Sequence, residues 1–79
     1  MNEIESSMQA QLTIIEQVYD IKIQNRDEVI RLAAQNIEDP RQVLMMCTLL
    51  NTWVANNNIR GAVVVPQSAV LSLADRLKK

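Results

Sequence analysis

Apolar residues Ile4, Met8, Leu12, Ile15, Tyr19, Ile23, Ile30, Ala33 and Ile37 recur at steps of three, four or seven, which puts them on one helical face. Residues 2–36 hold neither glycine nor proline and are rich in Glu, Gln, Ile, Leu and Ala, so the pattern predicts helix over residues 3–36. The face is interrupted at Arg26 and Asp27. There Asn25, with Glu28 three residues on, has the form of a fresh helix start, in which Asn25 caps and Glu28 answers it. Two helices broken near Asn25 are therefore the alternative to one long helix. The alternation Tyr19, Ile21, Ile23 leaves a third option, a strand over residues 18–23.

Glu38-Asp39-Pro40 is the clearest punctuation, because proline suits the first helical position and the aspartate before it can cap free amides. A helix is predicted over residues 40–56, apolar on nearly every side, from Val43 and Leu44 through Leu49, Leu50, Trp53 and Val54. So short a chain can hardly cover such a helix, and some of its surface is expected to meet a second molecule. Asn56, Asn57 and Asn58 end it, since asparagine tolerates the left-handed conformation that closes a helix. Residues 59–65 read as extended, with β-branched Val63, Val64 and Val65 ahead of Pro66. No strand partner is evident, so this segment is expected to be a connector or an edge that pairs with another chain. A last helix over residues 67–78 places Val70, Leu73, Ala74 and Leu77 on one face and Arg76, Lys78 and Lys79 where cations suit the helix dipole. The fold class is all-α, a small helical hairpin or three-helix domain spanning residues 1–79, with a possible short extended segment at 59–65.

Composition narrows the chemistry. The chain has 79 residues, no His, one Cys, one Gly and two Pro. Serine triads, Cys/His dyads, His/Cys zinc sites and glycine-rich phosphate loops cannot be assembled in one copy. No enzyme activity, cofactor, metal or small-molecule substrate is expected. Cys47, in an apolar run, reads as inert packing, and Met45 and Met46 beside it as gap-filling side chains. A single cysteine and an amino terminus without basic residues suggest a reducing, cytoplasmic setting with no secretory signal. Residues 42–59 carry no charge, but their asparagines make them too polar to span a bilayer.

Charge is segregated: residues 1–39 hold eight acids and three bases, and residues 40–79 one acid and five bases. Either the halves fold together and partly neutralise, or the acidic half of one copy meets the basic half of the next. Among the carboxylates only Glu16 and Asp20 share a helical face, which reads as solvated surface rather than a metal or acid–base site. Arg60, Arg76, Lys78 and Lys79 are a thin set for a phosphate backbone, so nucleic-acid binding is not expected of one copy. A small dimeric DNA-binding regulator, using residues 68–79, is an alternative function.

From Asp39-Pro40 through Val43, Leu44, Leu50, Trp53 and Asn58-Ile59, residues 39–79 resemble the second half of type III secretion needle subunits. The resemblance implies a filament subunit whose helical hairpin polymerises through apolar faces and is exported without a cleaved signal. Gly61, the valine run and Pro66 depart from it, since that family's second helix runs on. The function read from the residues is non-enzymatic protein contact, by self-association or capture of a larger protein partner. The predicted interface is Met8, Leu12, Ile15 and Tyr19 on the first helix and Met46, Leu49, Leu50 and Trp53 on the apolar helix. Trp53 serves equally well as an interface anchor or as a core residue.

Overall fold

The computed structural model describes residues 3–58 and 60–77. The chain runs α1 (Glu3–Tyr19), β1 (Ile21–Ile23), α2 (Arg26–Asn36), α3 (Gln42–Asn57), β2 (Gly61–Val63) and α4 (Gln67–Arg76). Among the described residues it is a predominantly α-helical domain, as the all-α reading expected, with four helices because the first predicted helix is divided, plus one pair of short parallel strands. Among the described helices none is long and apolar enough to cross a membrane.

The predicted helix over residues 3–36 is divided. Asp20 adopts a left-handed conformation (φ 52°), which stops α1 and releases β-branched Ile21 and Ile23 into β1. Both isoleucines are buried and Lys22 between them is exposed, as the alternation predicted. The extended segment at residues 59–65 does have a partner within the chain: β2 lies parallel to β1, with Ile21, Lys22 and Ile23 opposite Gly61, Ala62 and Val63. Ile59, Lys78 and Lys79 lie outside the described residues, so the start of that segment, the last predicted helical position and the basic tail are not placed.

Two polar junctions hold this strand pair to the helices. Asn25 precedes α2 but makes no side-chain capping bond, contrary to the predicted capping box. Its amide nitrogen instead donates to the Val65 carbonyl at 2.5 Å, and its amide oxygen accepts the Val65 N–H at 3.1 Å. The Gln24 N–H donates to the Val63 carbonyl at 3.0 Å, so the ladder continues beyond the strands. On the far side of β1, the Glu16 carboxylate accepts the Ile23 N–H at 2.8 Å and pairs with Arg26 at 2.6 Å. Arg26 also donates to the Gln9 carbonyl and the Thr13 hydroxyl, each at 2.6 Å, which binds α1 to the start of α2.

The first turn of α3 differs from its prediction by two residues. Pro40 and Arg41 form a turn in which the Asp39 carboxylate accepts the Arg41 N–H at 3.0 Å, and the helix begins at Gln42. The Arg41 guanidinium on the same carboxylate holds Asp39 below its ordinary value. At the other end Asn58, left-handed at φ 48°, closes the helix as expected. The core gathers Met8, Leu12 and Ile15 of α1 with Val29, Ile30 and Ala33 of α2, the inner side of α3, and Val70 and Ala74 of α4. Every fully buried side chain among the described residues is apolar.

Asn25→Ala removes both bonds to Val65 and leaves that backbone half-buried without a partner. Urea denaturation should show a loss of about 1–3 kcal/mol. An unchanged midpoint would mean that water replaces the clamp at no cost.

Candidate protein-contact surface

The periodicity of α1 gives it three distinct sides. Met8, Leu12 and Ile15 turn inward and are at most 5% exposed. Gln9, Thr13 and Glu16 take the side that holds Arg26. Ile14 and Val18, one turn apart, are left on the third side, 50% and 66% exposed.

On α3, residues Val43, Met46, Cys47, Leu50 and Val54 form the inner stripe, and all are buried. Leu44 and Met45 fall outside it, at 62% and 57% exposure. Between the helices runs a shallow groove, with Gln11, Ile14 and Ile15 on one wall and Leu44, Thr48 and Asn51 on the other. Beyond its end Val18 lies near Ala55 and Asn58, and Arg60 is the first charged residue there. Nothing from Gln42 to Asn57 carries a charge, and neither does anything in residues 6–15 of α1.

Five of the eight predicted interface residues, Met8, Leu12, Ile15, Met46 and Leu50, are packed into the chain's own core. They offer no surface to a partner in this fold, because a stripe regular enough to read as a contact face is the stripe the chain itself buries. Tyr19, Leu49 and Trp53 are half-buried against that core. Leu49 and Trp53 line a second groove, shared with Ala69, Leu73 and Arg76 of α4. Exposed Ile14, Val18, Leu44 and Met45 were not among the eight. Their signal was the apolar surplus off the main stripe: Ile14 and Val18 one helical turn apart, and Leu44 and Met45 on a helix with more apolar positions than one face can hold.

Three ion pairs join residues close to one another in the fold. Glu16–Arg26 and Glu28–Arg31 lie within the acidic half, and Asp39–Arg41 straddles the boundary between the halves two residues apart. No group of three or more metal-ligating side chains occurs among the described residues. Cys47 is buried, its Sγ 3.5 Å from Met8 Sδ, and burial pushes its thiol from 9.0 up to about 12.

A chromogenic disulfide should therefore react with native Cys47 at pH 8 on the order of a thousandfold more slowly than with the denatured chain, since the thiolate is the nucleophile. The unfolded thiol loses its proton near its ordinary value while the folded one keeps it. Stability should consequently fall as pH rises from 9.0 towards about 12, and Cys47→Ala should lack that component of the fall. Equal native and denatured reaction rates would show that the α1–α3 seam opens freely. Comparison with known proteins finds no matching family model, curated protein or solved structure, so the likeness of residues 39–79 to needle subunits rests on the residues alone.

Proposed function

We propose that the chain is a non-enzymatic protein-contact module that associates with a second copy of itself through the uncharged outer sides of α1 and α3. The observation that carries this reading is that exposed Leu44 of α3 and Ile14 of α1 line one groove, with exposed Met45 and Val18 on the same two helices and no charged residue on α3 from Gln42 to Asn57 or on α1 from Ser6 to Ile15. The solvent face of a surface helix ordinarily carries charge, whereas depletion of charge marks the centre of protein interfaces. Single exposed apolar residues need no explanation, but Ile14 and Leu44 face one groove between two packed helices.

A second copy is the favoured occupant because a neutral face meets its own image without like-charge repulsion, and a two-fold contact requires such self-complementarity. An acidic or basic partner would find no counter-charge there. A chain of this length has little stability to spare, and burial of these four side chains in a dimer adds to it. The half-buried Leu49 and Trp53 lie off this face, in the α3–α4 groove, and suit capture of a larger protein as the second protein-binding mode.

Light scattering over a concentration series, at low and high salt, tests the reading. The expected result is a dimer that persists or tightens in high salt, and that Val18→Asp with Leu44→Asp weakens by about a hundredfold or more. A monomer at every concentration would overturn it. Salt-weakened association would favour head-to-tail pairing of the acidic and basic halves, open-ended growth a needle-like subunit, and salt-sensitive binding of duplex DNA the regulator.

A further inference from the structure

We infer that β2 is an open sheet edge that pairs antiparallel, about a two-fold axis at Val63, with β2 of a second copy. This contact uses a different surface from the helix faces and rests on a different observation.

The register leaves no choice about which way the backbone groups of β2 point. Gln24 donates to Val63, and Lys22 lies opposite Ala62, so in a parallel ladder Val63 turns both its N–H and its carbonyl towards β1. Val65 turns the same way, because Asn25 takes both of its groups. Ala62 and Val64, which alternate with them, direct their N–H and carbonyl groups away from β1, and no described residue bonds them. Both are exposed, Val64 by 55%, and a Cβ added at neighbouring Gly61 would meet nothing within 4 Å. The outer edge of β1, by contrast, is occupied at Ile23 by Glu16.

Two donors and two acceptors in this alternation call for an extended strand, and the strand's own sequence meets the requirement. Antiparallel pairing centred on Val63 sets Ala62 opposite Val64 of the second copy, and Val64 opposite its Ala62. Each pair exchanges two bonds, so all four N–H groups and all four carbonyls are satisfied. Exposed Val64 then packs beside Ala62 of the second copy on the outer face. The ladder stops at Pro66, which has no N–H to give.

Charge favours a copy over a foreign strand. Residues 61–74 carry none, so the edge lacks the lysines that normally guard one. Across such a pairing the two copies' Lys22, opposite Ala62, would lie about 16 Å apart and their Arg60 about 20 Å, both beyond the screening length at physiological salt. So short a ladder buries far less than the ~1,200 Å² of stable complexes, so the pairing is weak and exchanges rapidly.

Amide NMR of the full chain over a concentration series, with hydrogen exchange at each end of the range, tests the inference. The amide resonances of Ala62 and Val64 should shift and gain at least about tenfold protection as concentration rises, while that of Val63, already bonded within the chain, should not. Val64→Pro removes an outward N–H that an edge can lose, and Ala62→Lys puts a charge on the edge while keeping its N–H. Both should abolish the change at otherwise intact spectra, whereas Leu44→Asp should leave it. Free exchange at Ala62 and Val64 at every concentration would overturn the inference, as would protection already complete at the lowest. Loss of the effect in Leu44→Asp would assign it to the helix face and overturn it too.

Discussion

Asn25 closing on both backbone groups of Val65, across 40 positions of sequence, is the interaction on which the arrangement depends. A pair of three-residue strands has too few ladder bonds to hold itself together in water. Asn25 adds two more in line with the ladder, and Gln24 to Val63 a third. Glu16 and Arg26 then fasten the opposite edge of β1 to α1 and α2. Since the strands are parallel, everything between them must return along the domain, and α2 and α3 make that journey. Their packing against α1 and α4 follows from it.

Once α3 is placed beside α1, apolar content exceeds what the domain can enclose. One stripe of α3 fills the core with Val43, Met46, Cys47, Leu50 and Val54. Leu44 and Met45 have nowhere inward to go, and Ile14 and Val18 share their situation on the neighbouring helix. The polar residues of these faces are amides and hydroxyls, such as Gln11, Thr48 and Asn51, which bond partners without demanding full solvation of a charge. The charged side chains are concentrated elsewhere, on α2, at the strand junction and in the turn before α3.

What was legible in the sequence was whatever depends on near neighbours. The apolar stripe through Met8, Leu12, Ile15, Ile30, Ala33 and Ile37 is buried throughout, and Asn58 closes α3 as an asparagine should. Cys47 is buried, and burial pushes its thiol up in the direction its apolar surroundings implied. Asn25 shows the limit: a cap and a long-range clamp use the same amide groups, and only the position of Val65 decides between them. The pairing of β1 with β2 was hidden for the same reason, since each segment alone is too short to announce a partner. Five of the eight residues read as an interface are core because the regular stripe is what the chain itself buries, while the irregular remainder, Ile14, Val18, Leu44 and Met45, is what the core cannot take.

That the uncharged outer side of α1 and α3 is where this chain meets another copy is tested most directly by following side-chain methyl resonances on dilution. The methyl groups of Ile14, Val18, Leu44 and Met45 should shift together along one binding curve, while those of buried Leu12, Val29 and Val70 stay fixed. Fixed resonances at all four outer positions across the concentration range, or shifts centred on the α3–α4 groove at Leu49 and Leu73 instead, would contradict it.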